Sequence, residues 1–557
     1  MEHLDGRPLE HVGEITRMGG LRYPERRAVA SAGGMGERSY GELDERSDRL
    51  AHLLRDVGVE PGDRVALYLP NTLEFPESYF AVTKAGGVVV PLNLMLDDRS
   101  IRYVVDDAGV DVVISTPLLA AGVDRDRVSV TAPQELFADT DVETLVADGL
   151  TSEGLDVVGY SSLEDQPEEP VLETSPDGLA VQMYTSGTTG KPKGVMLSHD
   201  NVLSGLESFT KTAPRIDPDD TVLVVLPLFH VYGLNILLGT YLYSGGEVVL
   251  MESPEPHAIL SAIEEYEVRA FPTVPAILRM VLDVYDEDPS SHDLGSLEMV
   301  GSGAAPLSED VKNRVVEDWG VVMGEGWAMT ETAGGGTVLR QGSDLWKPSG
   351  CIGRPMYEME LKLVDDDREV VVPAEVLDAR TPPPSEEYVG VEGEMAVRGQ
   401  QVFEGYFGLP EVTDEVFDDE GWFYTGDVAG VDEDGDLWIQ GRTDDMILVG
   451  GENVYPEQVE NALNDHPDVE EAGVAGVPHE VKGEAPVAFV VARDGAGVSE
   501  EGLRRYALER VPSYAHPRRV FFVDEVPRSA TRKVQRFKLR ERGEEMLDGA
   551  LESSERL

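Results

Sequence analysis

Cys351 is the one cysteine among 557 residues, so no disulfide can form within the chain and cysteine usage gives no hint of export. No run of eighteen apolar residues occurs, which argues against a membrane-spanning helix, and Met1 to Asp5 has neither the basic nor the apolar part of an export signal. A cytoplasmic protein without a transmembrane segment is expected. Lysine is scarce as well. Ten of the 46 basic residues are lysines, against 106 acidic residues, and the formal net charge is −60. The acidic residues are spread over the whole chain, not gathered in a tail. Such self-repulsion destabilises a compact state in dilute buffer, whereas molar salt shortens the Debye length to about 3 Å and screens it. The composition therefore points to a salt-rich cytoplasm, and it argues against nucleic acid or an anionic membrane as partner. Where lysine is avoided, the lysines that stay need a reason, and Lys191, Lys193 and Lys533 all fall within candidate motifs.

With 41% hydrophobic residues the chain can build large cores, and its length suits two to four compact units. Residues 39–54 start with serine, carry apolar positions at helical spacing and are stopped by Gly58 and Pro61-Gly62. Val65 to Leu69 reads as a strand, and residues 81–90 as a helix end, Gly86-Gly87, and a second buried strand. This alternation predicts parallel, helix-covered sheets. Residues 124–173 read as an acidic, irregular surface stretch. Residues 365–388, with three consecutive prolines and little core content, read as an exposed hairpin or a partly disordered insertion.

The densest chemistry lies at residues 184–195. Hydroxyls at Thr185, Ser186, Thr188 and Thr189 alternate with Gly187 and Gly190, and Lys191, Lys193 and Gly194 follow. Backbone N–H, hydroxyl and ammonium groups can all face one polyanion there, so the stretch reads as a phosphate-binding loop after the strand Leu179 to Met183. It is not the loop of the P-loop NTPases. Only two residues separate Gly187 from Gly190-Lys191, and Pro192 follows the lysine where a Ser or Thr is needed.

Five stretches closely resemble the motifs of the adenylate-forming superfamily, which includes acyl- and aryl-CoA ligases, luciferases and peptide-synthetase adenylation domains. They are the loop just described, residues 324–332, residues 421–427, residues 441–456 and residues 527–536. In the family's order they span Tyr184 to Arg536, and the segments before them also fit its N-terminal domain. The resemblance implies that Thr185 to Gly190, Lys191, Lys193, the turn Gly303, Ala304, Ala305 and Pro306, and Glu325, Gly326, Trp327, Asp427 and Arg442 bind ATP. Thr330 would reach the α-phosphate, Glu331 would hold magnesium (Mg2+), and Asp427 would take the ribose hydroxyls. Trp327 stands where Tyr or Phe is commoner, which keeps a stacking face but loses a phenol hydroxyl. His230, Tyr232, Gly233 and Gly301 would border the acyl pocket; unaided, a lone His230 in an apolar setting reads as a core histidine. So many glycines, Gly334 to Gly336 included, suggest room for a medium or long chain or an aryl ring. Lys533 would be the catalytic lysine, although Arg532 replaces the glycine that usually precedes it. Asp444 would be a hinge, and Gly450 and Gly451 would line the path of CoA.

The resemblance also implies an α/β fold. A large N-terminal domain, residues 1–443, would consist of helix-covered β-sheets with a small β-barrel-like part. A small, mobile α+β C-terminal domain, residues 444–557, would carry the lysine. The activity implied is ligation of a carboxylic acid, foremost a medium- or long-chain fatty acid, to CoA through acyl-AMP, with ATP, magnesium and CoA as small-molecule partners. An aryl-CoA ligase or a carrier-protein-loading enzyme stays open, and so does a homodimer.

Overall fold

Helix–strand alternation through the first 115 residues makes parallel pairing the cheapest arrangement, because each crossover helix covers the sheet it leaves. The computed structural model describes residues 1–551 except 5, 116–123, 126–127, 130–142, 147–157, 160–162, 164–165, 176, 187–190, 304–306, 340–346, 379, 480, 494 and 529–533. Arg64–Tyr68 pairs in parallel with Val88–Pro91 and Val110–Ser115, and the helices Glu74–Lys84 and Asp98–Ala108 make the crossovers. The helix Tyr40–Asp56 opens on a capping box in which Ser39 and Glu42 satisfy each other's backbone N–H, and it buries Leu43, Leu50, Leu53 and Leu54.

Among the described residues the N-terminal part holds two large sheets. In one of eight strands, the parallel core is extended by Leu179–Ser186, Pro192–Ser198 and Gly405–Tyr406. The other has fourteen strands and two halves. Its parallel half runs through Arg27–Ser31, Glu247–Leu250, Thr221–Val224, Ala270–Thr273, Met299–Ser302 and Val322–Ala328. Three candidate segments, 225–233, 303 and 329–331, leave the carboxyl ends of these strands, which is where open parallel sheets bind ligands. The antiparallel half, from Gly336–Val338 to Val370–Val372, corresponds to the smaller barrel-like part.

Of the two readings of residues 365–388, the hairpin is the one found, but the expected lack of core content is not. Glu360–Val364 and Val370–Val372 form a hairpin whose turn is pinned by Asp365, with a carboxylate oxygen accepting from the N–H groups of Asp367 and Glu369. Val372 and Leu377 are fully buried, so the segment does contribute to a core.

Beyond residue 445 lies a five-stranded sheet of Glu452–Val454, Ile447–Val449, Gly483–Ala492, Val469–His479 and Arg519–Phe522. The helices Pro456–Asn464, Glu500–Leu508 and Arg536–Leu551 accompany it, which makes this unit α+β. The strands expected at 474–477 and 486–491 are both longer than their apolar runs.

Candidate functional site

The stretch expected to bind phosphate is a β-hairpin. Leu179–Ser186 and Pro192–Ser198 pair antiparallel, with Tyr184 opposite Gly194, Thr185 opposite Lys193 and Ser186 opposite Pro192. Gly187, Thr188, Thr189 and Gly190 lie outside the described residues. A second strand follows where a P-loop would open onto a helix, in agreement with the rejection of that motif. Lys191 is exposed, with its Nζ 5.6 Å from the centre of the Tyr103 ring. Tyr184 donates to Asp107 Oδ2 at 2.7 Å.

Lys193 points inward, and its Nζ stands 4.1 Å over the ring of Tyr406. Tyr406 donates its hydroxyl to Glu331 Oε1 at 3.0 Å. Burial, and after it the Glu331 carboxylate, push this phenol up, so it stays a donor. Phe403 N–H also donates to the Glu331 carbonyl, at 2.8 Å. The residue expected to hold magnesium is thus joined to the phosphate hairpin through Tyr406, which sequence reasoning missed. The dipeptide Gly405-Tyr406 has no local signal beyond its glycine. It reaches the site only because Tyr406 pairs with Val195 across the sheet.

A second cluster forms where the fourteen-stranded sheet changes from parallel to antiparallel. Trp327 donates its indole N–H to Asp427 Oδ2 at 2.7 Å, and Arg442 Nη1 donates to Asp427 Oδ1 at 2.9 Å. Strand pairing sets this up, since Asp427 lies opposite Arg442. The tryptophan that departs from the commoner Tyr or Phe therefore supplies a donor that phenylalanine lacks. Burial works against the Arg442 charge, but Asp427, Asp444, Asp445 and Glu331 nearby hold its guanidinium above the usual range. Thr330 begins a short 3-10 turn, Thr330–Thr332, and is half-buried beside Glu331.

Glu325 does not offer its carboxylate to a nucleotide here. Its Oε1 accepts from Lys312 at 2.9 Å, with Lys312 wholly buried, and its Oε2 accepts from Gly350 N–H at 3.3 Å. Burial pushes this carboxyl up while Lys312 opposes the shift. Gly326 is packed against the Thr337 carbonyl, 2.8 Å from where a Cβ would lie.

The glycines near the expected acyl pocket do not supply open space. A Cβ on Gly301 or Gly303 would meet the Tyr232 side chain at 3.5 or 3.1 Å, and one on Gly233 would lie 2.5 Å from the Pro227 carbonyl. Gly334, Gly335 and Gly336 are filled in the same way by Ile236, Gln401 and the Trp327 carbonyl. The missing side chains let the protein's own elements approach one another, and Tyr232 is laid over the strand of Gly301 and Gly303. Burial pushes its phenol up. Tyr232 opens a π-helix, Tyr232–Gly239, in which Asn235 donates to the Ala333 carbonyl at 2.8 Å. His230 precedes it, half-buried, edge-on to Phe229 at 4.7 Å between ring centres. Ala304, Ala305 and Pro306 lie outside the described residues.

Asp444 is exposed in the 3-10 turn Thr443–Asp445 that joins the two sheet systems. Gly450 and Gly451, at φ +67° and +95°, form the two-residue turn of the hairpin Ile447–Val449 and Glu452–Val454, a backbone state that glycine adopts without strain. Lys533 lies outside the described residues. Among the described residues of that motif, Gln535 N–H donates to the Pro527 carbonyl at 2.8 Å. Just beyond, Arg536 bridges to Asp445 at 2.9 Å and to Glu457 and Glu460 at 2.8 Å each. The last motif is therefore tied to the residue next to the expected hinge.

The AMP-binding enzyme family matches residues 19–407, and the AMP-binding enzyme C-terminal domain matches residues 458–533. The chain belongs to the AMP-binding enzyme family. It is 35% identical to a feruloyl-CoA synthase of Amycolatopsis sp over 90% of this chain and 94% of that protein. It is 32% identical to a long-chain-fatty-acid–CoA ligase of Escherichia coli O157:H7, over 95% of this chain and 93% of that one. ATP-bound MatB from Rhodopseudomonas palustris superposes with a TM-score of 0.80 at 28% identity, covering 96% of this chain and 99% of that chain. The α/β fold with a large sheet-rich N-terminal part and a small C-terminal part is the fold of this family. Among the described residues no helix is long and apolar enough to cross a membrane.

Proposed function

We propose that this AMP-binding enzyme is an ATP-dependent acid–thiol ligase that makes acyl-CoA through acyl-AMP. The observation that carries the reading is the meeting of two clusters, Lys193–Tyr406–Glu331 and Trp327–Asp427–Arg442, at the end of the strand Val322–Ala328, close enough that Asp427 and Glu331 both act on the Arg442 guanidinium. The first joins a cation and a hard carboxylate beside a hydroxyl-rich hairpin, as a triphosphate needs. The second presents a carboxylate whose oxygens each keep a lone pair for a ribose hydroxyl, next to an indole face for adenine.

A carboxylate oxygen of the acid attacks the α-phosphorus, and pyrophosphate leaves. The CoA sulfur then attacks the acyl carbonyl, and AMP leaves. Both partners of the first step are anionic, so the hairpin hydroxyls, Thr330, Lys193 and Lys533 neutralise charge and hold the groups in line. Glu331 fits a magnesium ion. Tyr406 occupies only its Oε1, and a carboxylate oxygen is the hard ligand this ion prefers. When bound, the ion supplies further charge neutralisation on the triphosphate. Lys533 and the CoA thiol need the same carbonyl in turn, so the border between the moving parts is placed at Asp444, with residues 444–557 as the mobile unit.

The acid is read as a medium- or long-chain fatty acid, and the likeness to the fatty-acid ligase supports this. A flat aryl acid is the second reading. The Tyr232 ring over Gly301 and Gly303 favours it, because a long chain would have to displace that ring. The enzyme is taken to act in a salt-rich cytoplasm, with a homodimer left open. ATP–pyrophosphate exchange with aliphatic acids of graded length and with aryl acids, in molar KCl, tests the first step and selects the acid. Consumption of free CoA separates the ligase from a carrier-loading enzyme. Lys533→Ala should slow exchange by about 10²–10³-fold, the usual loss for one preorganised donor, while CoA transfer from supplied acyl-AMP survives. Equal loss of both steps would refute the role of this lysine.

A further inference from the structure

A loop that leaves a parallel sheet and stays buried has no strand partner, so its backbone N–H and C=O groups must find other company. Residues 225–228 form such a loop. Val224 ends the strand Thr221–Val224, and its carbonyl accepts from Met251 N–H at 3.0 Å. Val225, Leu226 and Leu228 beyond it are nevertheless buried, Leu228 wholly so. From there the chain runs on to His230 and Tyr232.

One side chain meets the demand. Asn71, 5% exposed, donates from its amide nitrogen to the Leu226 carbonyl at 2.9 Å and to the Met251 carbonyl at 3.2 Å, while its Oδ1 accepts from Leu228 N–H at 2.9 Å. Only an amide offers donors and an acceptor in this layout, and the partners fix which end is nitrogen. Asn71 belongs to the other large sheet and stands 155 residues before Leu226. It follows the strand Arg64–Tyr68, in a tight turn that Thr72 N–H closes on the Pro70 carbonyl at 2.7 Å, just before the helix Glu74–Lys84.

The clasped peptides are the ones on which the next turn rests. A Cβ on Gly233 would lie 2.5 Å from the Pro227 carbonyl and 3.0 Å from the Leu226 carbonyl, so the chain doubles back onto them. His230 N–H donates to the Pro227 carbonyl at 3.1 Å, and Leu234 N–H to the His230 carbonyl at 2.9 Å. A shift of residues 226–228 is therefore passed to His230 and to Tyr232, whose ring lies over Gly301 and Gly303.

We propose that Asn71 is a positioning residue for the acid substrate, which by clasping Leu226 and Leu228 fixes the turn that presents His230 and Tyr232. The proposal rests on the reading of that turn as a border of the acyl pocket. The hydrogen bonds of Asn71 go to this segment and to the strand end at Met251, and not to the Lys193–Tyr406–Glu331 or Trp327–Asp427–Arg442 clusters. Acid and ATP should therefore respond differently to its loss.

ATP–pyrophosphate exchange in molar KCl, with octanoate and cinnamate as probe acids, tests this. Asn71→Ala should raise KM for the acid about tenfold or more, as expected when buried groups lose their partner, and leave KM for ATP unchanged. Asn71→Asp keeps the shape and the acceptor but can donate only when protonated, and burial against carbonyls raises its pKa. In that variant KM for the acid should recover as the pH falls, with the parent as baseline because His230 and Glu252 titrate on the segments that Asn71 touches. Equal losses for acid and ATP, without recovery at low pH, would mean a structural role and overturn the proposal. Amide hydrogen exchange reads the clasp without turnover. Leu228 N–H should exchange faster in Asn71→Ala and stay protected in Asn71→Asp, which keeps Oδ1. Unchanged protection in Asn71→Ala overturns the proposal, and so does fast exchange at Leu228 with unchanged KM for both acids. If the parent exchanges pyrophosphate with no acid present, the ligase reading falls, and Leu228 alone then decides whether Asn71 holds the turn.

Discussion

Lys312→Met is the most demanding test of how the strand carrying Trp327 is held. Lys312 lies on the helix Glu309–Trp319 with none of its side chain exposed, and it donates to Glu325 Oε1 at 2.9 Å. Removing the ammonium leaves Glu325, 8% exposed, with only long contacts, from Gly350 N–H at 3.3 Å and Ser349 Oγ at 3.4 Å. Breaking one side of a buried pair costs about 3–5 kcal/mol, mostly the desolvation of the stranded charge. The expected loss is of that size, read from urea unfolding at pH 7.5 in molar KCl. Replacing both partners, as in Lys312→Met/Glu325→Leu, removes the stranded charge and should recover most of the loss. The pH dependence has a definite sign. Burial already raises this carboxyl above its ordinary value of 4.5, with Lys312 opposing, so the single variant raises it further. Its deficit is full above the raised value and fades as the pH falls toward 4.5. Because Trp327 is two residues along the same strand, KM for ATP in pyrophosphate exchange should rise in the single variant. Equal destabilisation of single and double variants, with no recovery at low pH, would refute the reasoning.

Trp327→Phe keeps an aromatic face but deletes the 2.7 Å hydrogen bond to Asp427, and should lower kcat/KM for ATP by about 10-fold or more; an unchanged value would remove Asp427 orientation from the role of the indole. His11 and His199 stack at 3.8 Å between ring centres, and burial lowers them to about 4 and about 2. The unfolded chain binds these protons from pH 6.5 downward while the fold resists, so stability is complete above 6.5 and is lost as the pH falls toward 4, by about 3 kcal/mol for His11. Melting temperatures between pH 7.5 and 5 should fall less steeply in His11→Gln, and an identical slope would exclude that histidine as the cause. The spread of −60 charges predicts that folding and activity need molar KCl, and full activity with an unchanged unfolding midpoint in dilute buffer would contradict it.

Local sequence determined what depends on neighbours along the chain. The capping box at Ser39 and Glu42, the hydroxyl-rich stretch at 184–195 and the order of the motifs were all legible, because each is set by a few adjacent residues. The tryptophan at 327 was visible as a departure, but its donor role was not, since the partner Asp427 is 100 residues away. Tyr406 and Lys312 could not be read at all, because one is brought to Glu331 and the other to Glu325 only by sheet pairing and helix packing. The glycines misled. A glycine records that something comes close, and whether that is a ligand or the protein's own Tyr232, Ile236 or Trp327 depends on the packing around it.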